Sequence, residues 1–119
     1  MNKTRNKILN QCETLMLDMD GTVLDLSYDS HIWLKIIPEK LAEKRDIPIS
    51  AAISLMNEHV IRMKNTLEWY CIDNWSKLLD IDVLEIHKAE KNRIRYLPGA
   101  KSFLREISNS SIKIILVSN

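Results

Sequence analysis

The sequence predicts an α/β protein in which a large helical insertion separates two strands of a parallel sheet. Two apolar runs of strand length, residues 15–17 and residues 112–117, lie near opposite ends of the chain. The second run is almost continuously apolar, which is typical of a buried parallel strand. Between them, residues 28–95 contain no glycine, and their apolar residues recur at helical spacing. The predicted order is strand, helical insertion, helix, strand.

The length and composition are those of about one domain, and they argue against a nucleic-acid or membrane partner. With 119 residues, 45% of them hydrophobic, the chain can bury a core. The 17 basic and 16 acidic residues nearly cancel, so no excess positive charge points to nucleic acid. No apolar stretch approaches the ~20 residues that span a bilayer. Cys12 and Cys71 form no Cys-x-x-Cys motif. We therefore expect a soluble cytoplasmic protein with reduced thiols and no membrane or nucleic-acid partner.

The first elements are a polar start and a short strand. The polar residues 1–13 are expected to be irregular. The exceptions are Ile8 and Leu9, which are expected to cover the sheet edge. The apolar residues 15–17 predict the first strand, and Gly21 allows a sharp turn after it. A first helix is then expected over residues 28–36. Pro38 lacks a backbone N–H, so we expect a break or a new first turn there before a helix over residues 39–45.

Three more helices are predicted in the insertion. Ser50 is the expected N-cap of the first. Its apolar face is expected to contain Ile53, Met56, Val60, Met63 and Leu67. The face of the second is expected to contain Leu67, Cys71, Trp75 and Leu78. Asp80 or Asp82 is expected to cap the third, which extends through Glu90 to about Arg95.

The sequence Leu-Pro-Gly-Ala at residues 97–100 marks the return to the sheet. The spacing of Ala100, Phe103, Leu104 and Ile107 predicts a short amphipathic helix before the second strand. Residues 1–26 and 96–119 are thus expected to form the sheet-containing part, and residues 27–95 the helical insertion. Two strands and one helix cannot bury both faces of a parallel sheet, so residues 112–117 are expected to leave an open apolar edge.

Two carboxylates, Asp18 and Asp20, follow the first strand. A spacing of two places both on one side of a strand, at the carboxyl end where open α/β sheets bind ligands. Such a pair can hold a hard cation such as Mg²⁺, or one carboxylate can attack an electrophile while the other transfers protons. Gly21 is at position 4 counted from Asp18, whereas a calcium-binding EF-hand loop has glycine at position 6. An ordinary Asp-Gly turn is the other alternative. The strand before Asp18 and the second strand, which ends in Ser118 and Asn119, favour a catalytic site.

The sequence Leu-Asp-Met-Asp-Gly-Thr-Val-Leu-Asp at residues 17–25 resembles the first signature of the haloacid dehalogenase (HAD) superfamily of phosphotransferases. The sequence Ile-Ile-Leu-Val-Ser-Asn at residues 114–119 resembles the second signature, a hydrophobic strand that ends in Ser or Thr. The helical insertion is similar to the superfamily's C1-type cap. This resemblance implies a partial, Rossmann-like HAD core in residues 1–26 and 96–119 and an all-helical cap in residues 27–95.

Within that superfamily, the insertion resembles bacterial GMP/IMP 5'-nucleotidases. The likeness lies in Asp25-Leu26, Trp33 and the run Asn-Thr-Leu-Glu-Trp-Tyr-Cys-Ile-Asp-Asn-Trp-Ser at residues 65–76. It implies that Asp18 is the nucleophile and a Mg²⁺ ligand. Asp20 would be the general acid/base and would give its backbone carbonyl to the metal. The implied phosphate-binding residues are Met19, Gly21, Thr22, Ser118 and Asn119.

The implied substrate is a purine nucleoside 5'-monophosphate. The aromatic residues of the cap then have two interpretations. Trp69 and Tyr70 are candidates for stacking on a purine, or they belong to the helical core, which is the interpretation favoured for Trp75. A sugar-phosphate or phosphoglycolate phosphatase is the alternative enzyme, because the cap rather than the catalytic loop sets the substrate. The other alternative is a non-catalytic remnant whose helices act as a binding or interaction module.

The superfamily's two remaining signatures, a Lys and an acidic pair, lie downstream of the second strand. The sequence ends at Asn119, so we expect a truncated, N-terminal half with poor phosphatase activity alone. The histidines His31, His59 and His87 have no Cys or acidic partner at metal-ligand spacing and are expected to be surface or cap residues. A basic stretch is expected to form a solvated helix face: Lys88, Lys91, Arg93 and Arg95.

Overall fold

The computed structural model describes residues 3–118, which form a mixed helix and strand structure with a small parallel sheet. The main elements are α1 (Lys3–Asn10), β1 (Thr14–Asp18), α2 (Ser27–His31), α3 (Ile37–Arg45), α4 (Ile49–Met63), α5 (Ile72–Leu79), α6 (Val83–Ala89), α7 (Ala100–Ser108) and β2 (Lys113–Val117). The chain divides into two compact units. The α/β unit contains Met1–Leu26 and Arg95–Asn119, and the helical unit contains Ser27–Ile94.

The predicted parallel sheet is confirmed. Strands β1 and β2 pair in parallel, with Thr14 opposite Lys113 and Asp18 opposite Val117. Partners in register share a face of the sheet. One face therefore contains Met16, Asp18, Ile115 and Val117, and the other contains Leu15, Leu17, Ile114 and Leu116. The second face is the one near α7, since Leu17 and Phe103 line a common cavity.

The prediction of an open apolar edge is also confirmed. Ile115, Leu116 and Val117 are all exposed on β2, as is Met16 on β1. The two residues of the α/β unit that are buried among those described are Val23 and Ile107. This unit therefore has little core of its own, because its sheet has two strands and one covering helix.

The chain leaves and re-enters the α/β unit as a short antiparallel pair. The Asp25 N–H donates to the Arg95 carbonyl at 2.8 Å, and the Leu97 N–H donates to the Val23 carbonyl at 2.9 Å. Leu24 and Tyr96 form an antiparallel bridge between these bonds. This pairing ties the segment after β1 to the segment before α7, so the loop that follows Asp18 is held from both ends.

The helical unit has a continuous hydrophobic core. Its buried members are Ile32, Ile37, Leu41, Ala52, Met56, Trp75, Leu79 and Val83. Trp75 contacts Trp33 and Trp69 edge-on, with ring centroids 5.1 and 5.8 Å away. Its indole N–H donates to the Trp69 carbonyl at 2.9 Å, which satisfies the polar atom of a buried side chain. The interpretation of Trp75 as a core residue is confirmed.

Of the two alternatives predicted at Pro38, the new first turn is confirmed and the break is not found. The chain stays helical from α2 to α3 through a π-helical turn at Ile32–Ile36, and Pro38 lies in the first turn of α3. The Ile37 N–H donates to the Ile32 carbonyl, five residues back. Proline lacks the N–H that an α-helix would require, and the wider π turn just before it accommodates this loss without ending the helix.

The predicted cap of α4 is wrong, and its predicted apolar face is confirmed in part. Pro48 in an extended conformation, and not Ser50, precedes the helix, and no side chain caps it. The buried residues of α4 are Ala52, Met56 and His59, while Ile53 is exposed. Of the predicted face, Val60 and Met63 pack against the hydrophobic core together with Met56. Packing on α3 rotates the buried surface toward Ala52 and His59 and leaves Ile53 exposed.

The segment after α4 also departs from prediction. Helix α4 ends at Met63, because Lys64 has an extended ψ of 135° and Asn65 follows with a φ of 66°. Leu67 is therefore an exposed residue of a separate 3₁₀ turn at Leu67–Tyr70. Helix α5 buries Trp75 and Leu79, while Cys71 precedes it and is exposed. Of the predicted face, Trp75 is buried and Leu78 packs against the core, whereas Leu67 and Cys71 are exposed.

One of the two predicted caps of α6 is confirmed. The Asp82 carboxylate accepts the Glu85 N–H at 3.1 Å, whereas Asp80 ends α5 in a left-handed conformation. The helix ends at Ala89, earlier than predicted, and a 3₁₀ turn at Lys91–Arg93 follows. The early end is consistent with the few apolar residues that remain after Ile86 to pack against a core.

The ends of the chain give mixed results. The prediction of irregular structure at the start of the chain is wrong, because Lys3–Asn10 forms α1. Ile8 is exposed and does not cover the sheet edge. The predicted amphipathic helix and second strand are confirmed as α7 and β2. None of the helices within residues 3–118 is long and apolar enough to cross a membrane.

Candidate functional site

The carboxylate pair lies at the carboxyl end of β1. Asp18 is the last residue of the strand, and both Asp18 and Asp20 are exposed. One oxygen of Asp18, Oδ1, accepts the Met19 N–H at 2.9 Å. This local bond orients the Asp18 carboxylate at the sheet edge and leaves its second oxygen as a candidate nucleophile.

The loop after Asp18 is folded around the Met19 carbonyl. That oxygen accepts the Val23 N–H at 3.0 Å and the Leu24 N–H at 2.9 Å. The Gly21 N–H donates to the Leu24 carbonyl at 2.8 Å. Bonds of this kind fix the backbone of residues 19–24 without using the side chains of Asp20 and Thr22.

Gly21 is required by this loop conformation. Its φ is +77°, and a Cβ added there would lie 3.3 Å from Leu26 Cδ1. A side chain at residue 21 would therefore combine backbone strain with a close contact. The glycine keeps Asp20 and Thr22 on a tight turn directly after the strand.

The second strand brings another predicted site residue to the same edge. Val117 pairs with Asp18, so Ser118 follows on β2 just as Met19 follows on β1. Ser118 is exposed. Asn119, the remaining predicted phosphate-binding residue, lies outside the described residues. Parallel pairing in register is what brings the two chain segments together, although they are about a hundred residues apart in the sequence.

A half-open cavity of about 330 Å³ lies beside this loop within the α/β unit. Its lining residues are Leu17, Thr22, Val23, Pro98, Gly99, Ala100 and Phe103. Thr22 is the polar side chain among them, and the rest of the wall is apolar. Sequence reasoning treated Leu-Pro-Gly-Ala only as a return segment and missed Pro98 and Phe103 as neighbours of Thr22. The signal in the sequence that could have placed them there is the apolar face of the helix that directly follows this segment.

The predicted substrate aromatics belong to the helical unit and differ from each other. Trp69 is half-buried and packs against Trp75, to which it also offers its carbonyl. Tyr70, in the same 3₁₀ turn, is 60% exposed. Of the two rings, Tyr70 is thus the one with a free face for a ligand, while Trp69 also serves the core.

The histidines have structural partners that sequence spacing did not reveal. His31 Nε2 lies 3.6 Å from the Glu90 carboxylate, which also accepts the Arg93 Nε–H at 2.8 Å. The His87 ring contacts the Val83 carbonyl through Nδ1 at 2.8 Å. The first contact joins the two ends of the helical unit's sequence, and the second lies within α6.

Two further titratable groups in the helical unit are perturbed by their surroundings. Burial, with Asp29 and Glu90 nearby, raises the pKa of Tyr28, whose hydroxyl donates to the His87 carbonyl at 2.9 Å. Burial, followed by the charges of Arg62 and Arg45, lowers the pKa of His59. His59 is 8% exposed, and its Nδ1 has no hydrogen-bond partner.

Part of the basic stretch forms local ion pairs. Lys88 Nζ lies 3.1 Å from the Glu85 carboxylate, and the Arg93 guanidinium bonds to Glu90. Each pair joins residues three apart, the first in α6 and the second at the 3₁₀ turn that follows it, and exposed pairs of this spacing contribute little to stability. This geometry favours a solvated face over an anion site.

The carboxylate pair suits Mg²⁺ in the type of its donors. Mg²⁺ is commonly held by one or two carboxylates, with water and substrate phosphate completing the coordination. Asp18 and Asp20 offer such oxygens at the exposed end of β1. Within residues 3–118, no group of three or more His, Cys, Asp or Glu side chains is arranged to hold a metal ion. A metal ion at this pair would therefore be held by few protein ligands, which is the arrangement common for Mg²⁺.

The chain is similar to two curated proteins that carry the same name. The chain is 33% identical over 107 residues to the GMP/IMP nucleotidase YrfG of Escherichia coli (strain K12), and equally to the protein of the same name from Shigella flexneri. The match covers 90% of this chain and 48% of each relative. The chain thus spans about half the length of the curated relatives it matches. No family model matches the chain, and no solved structure matches it significantly.

Proposed function

We propose that this chain carries the nucleophile-bearing part of a HAD-type phosphomonoesterase that acts on purine nucleoside 5'-monophosphates such as GMP and IMP. The observation that carries the proposal is the 33% identity over 107 residues to proteins named GMP/IMP nucleotidase. The carboxylate pair at the end of β1 supplies groups suited to that chemistry. The match covers 48% of each relative, so the relatives' similarity alone does not establish that this chain has the activity of a whole enzyme, and that activity is proposed.

The first half of the proposed reaction transfers the phosphoryl group to the protein. An Asp18 carboxylate oxygen attacks phosphorus, and a P–O bond to that oxygen forms as the ester P–O bond breaks. The Asp20 carboxyl group gives its proton to the departing 5'-oxygen of the nucleoside. The products of this half are an aspartyl phosphate at Asp18 and a neutral nucleoside.

The second half returns the protein to its starting state. A water oxygen attacks the phosphorus of the aspartyl phosphate, and the Asp20 carboxylate takes a proton from that water. The bond between phosphorus and the Asp18 oxygen breaks, which releases inorganic phosphate and regenerates the Asp18 carboxylate. Asp20 ends protonated, as it began.

The phosphoryl group would be held by the loop and by the end of β2. The Thr22 and Ser118 hydroxyls are the side-chain donors in the proposed set, with Met19, Gly21 and Asn119 beside them. In the described structure the Met19 N–H donates to Asp18. It must leave that carboxylate before it can donate to a phosphoryl oxygen, and the same movement would free Asp18 Oδ1.

Mg²⁺ is the proposed cofactor. The Asp18 carboxylate and the Asp20 carbonyl would hold it, and its charge would offset the negative charge of the transferring phosphoryl group. For the base, the exposed ring of Tyr70 is the better placed of the two proposed aromatics to stack on a purine, with Trp69 as the second.

The experiment is a phosphate-release assay on the purified chain with Mg²⁺ and GMP, IMP, phosphoglycolate or a sugar phosphate. We expect slow release that is fastest with the purine nucleotides. Asp18→Asn should abolish it, and Asp20→Asn should lower it by about 10²–10⁴-fold, the usual contribution of general acid–base catalysis. Glu106→Gln, an exposed acid of α7 in the same unit, is the matched control and should leave release unchanged.

A second measurement tests the covalent step without turnover. Acid quenching followed by mass spectrometry should find phosphate on Asp18 in the wild-type chain and none in Asp18→Asn. Equal release by wild type and Asp18→Asn would contradict the proposal. Faster release from phosphoglycolate or a sugar phosphate would instead favour the alternative substrate class, and absence of both release and phosphorylated Asp18 would favour the non-catalytic alternative.

A further inference from the structure

Leu67 is the most exposed large apolar side chain among the described residues, although helical spacing predicted it for a buried face. It is 87% exposed, and Tyr70 in the same 3₁₀ turn is 60% exposed. A 3₁₀ helix has three residues per turn, so side chains three positions apart lie one above the other on the same side. Leu67 and Tyr70 are therefore adjacent, and they form one apolar surface that we call the turn surface.

Trp69 lies on another side of this turn and anchors it to the helical core. Its ring packs edge-on against the Trp75 ring, with the centroids 5.8 Å apart. Trp75 is buried and also contacts Trp33, with the centroids 5.1 Å apart. Since the Trp69 ring is held in this packing, the apolar contacts on the exposed side of the turn are left to Leu67 and Tyr70.

Trp75 also fixes the backbone of the turn. Its indole N–H donates to the Trp69 carbonyl at 2.9 Å, and its backbone N–H donates to the Cys71 carbonyl at 3.2 Å. Just before the turn, the Thr66 hydroxyl and the Thr66 N–H both donate to the Met63 carbonyl, at 2.6 and 3.1 Å. A surface whose backbone is held at both ends loses little conformational entropy when it binds a ligand.

The size and chemistry of the turn surface suit a flat aromatic ligand. Two side chains offer far less area than the ~800 Å² per partner that a standard protein–protein interface buries. Aromatic side chains stack on nucleobases, and an adjacent leucine extends the apolar contact. The substrate of the proposed function carries a ring of this kind, the purine base.

We propose that Leu67 and Tyr70 together bind the purine base of the substrate, and that Trp75 is a positioning residue that holds the turn in its binding conformation. This inference rests on the proposed function, which supplies the purine nucleotide. It adds Leu67 to the base-binding residues and gives Trp69 the role of anchor. Trp75 acts through the Trp69 carbonyl, so its loss should weaken binding of the base and leave binding of the phosphate unchanged.

The test measures binding of GMP and of ribose 5-phosphate, which lacks the base, by ligand-observed NMR. Every sample is the full chain carrying Asp18→Asn, so that GMP is not consumed. Tyr70→Ala should raise the Kd for GMP at least about fivefold, the smallest loss usual for a base–aromatic stack. Leu67→Ala should raise it about threefold through the lost apolar contact. Tyr70→Phe keeps the ring and should bind GMP as its parent does. The Kd for ribose 5-phosphate should stay the same in all three variants.

Trp75→Phe tests the positioning role, because it removes the indole N–H and keeps an aromatic ring in the core. It should raise the Kd for GMP by about twofold to tenfold, the range of one net hydrogen bond, without changing the Kd for ribose 5-phosphate. Helical circular dichroism checks that each variant is folded at the temperature of the measurement. Leu34→Ala is the matched control, since Leu34 is an exposed leucine outside the turn. It should leave both Kd values unchanged.

The outcomes separate this inference from the proposed function. Absence of GMP binding, unchanged GMP binding in Leu67→Ala or Tyr70→Ala, or equal losses for GMP and ribose 5-phosphate would overturn the turn surface. Unchanged GMP binding in folded Trp75→Phe would contradict the positioning role. Phosphate release by the chain with Asp18 restored, together with GMP binding that ignores the turn variants, would support the proposed function and overturn this inference. GMP binding that depends on Leu67 and Tyr70, without any release, would support the turn surface and contradict the proposed function.

Discussion

The two units of this protein divide stability and chemistry between them. The helical unit buries a core that includes Ile37, Leu41 and Leu79, each with no exposed surface. The described part of the α/β unit buries only Val23 and Ile107, yet it holds both residues of the candidate catalytic pair. A hydrophobic core stabilises in proportion to the apolar area removed from water. The helical unit is therefore expected to be the stable part, and the site-bearing unit the dependent one.

The largest expected effect comes from truncating matched leucines in the two units. Leu79→Ala, at a residue with 0% exposure, should lower the free energy of unfolding by about 2–5 kcal/mol, because it leaves a cavity in the helical core. Leu116→Ala, at 54% exposure, should lower it by less than about 1 kcal/mol. Denaturant unfolding followed by helical circular dichroism measures both.

The exposed Leu34 supplies a control within the helical unit. Leu34→Ala should resemble Leu116→Ala and not Leu79→Ala, because burial and not residue type sets the loss. A loss at Leu116 as large as at Leu79 would show that the sheet is better covered than its exposures indicate, and the contrast between the units would not hold.

Removal of a helix cap in the helical unit is expected to lower stability by less than truncation of a core leucine. Asp82→Ala removes the carboxylate that accepts the Glu85 N–H, and should lower stability by about 1 kcal/mol. Ser50→Ala should have almost no effect, since Ser50 lies inside α4 and no side chain caps that helix. The same denaturation assay compares the two. Similar losses for both variants would contradict the observed start of α4.

The smallest expected effect is a change in the stability of the helical unit with pH. Burial and the nearby Arg62 and Arg45 lower the pKa of His59 in the folded chain, with Glu58 opposing. The unfolded chain, where the histidine pKa is about 6.5, then binds the proton more readily. The contribution of neutral His59 to stability is thus present above about pH 6.5 and is lost as the pH falls below that value.

Unfolding midpoints of the helical signal between pH 8 and pH 5 measure this loss. In His59→Leu the part of the decline due to this group should disappear, which flattens the profile relative to wild type. An identical profile in wild type and variant would assign the decline to other groups. Arg45 of α3 packs near α4, so Arg45→Gln should reduce the decline only in part.

The elements predicted correctly depend mainly on neighbouring residues. The run of apolar residues in β2 and the spacing of Ala100 and Phe103 in α7 each specify an element without reference to distant segments. The Asp82 cap is another example, because its carboxylate bonds to an amide three residues away. The position of Asp18 at the end of β1 likewise follows from where the apolar residues stop.

The errors arise where packing chooses among local alternatives. Helical spacing allowed α4 to bury Ile53, but packing against α3 buries Ala52 and His59 instead. The chemistry of Pro38 allowed either a break or a new first turn, and a π turn just before it keeps the chain helical so that the second occurs. The contact of His31 with Glu90 joins residues from opposite ends of the helical unit's sequence, so no local spacing could reveal it.

By itself, the sequence determined the α/β class, the two strands and the acidic pair that follows the first of them. These are consequences of short-range chemistry: apolar continuity for a strand, and a glycine after it for a tight turn. Only the tertiary structure decided which helix faces are buried, that Trp75 bonds to Trp69, and that His31 lies beside Glu90. The physical reason is that these features depend on which distant segments meet, and burial of apolar surface selects those partners over the whole chain.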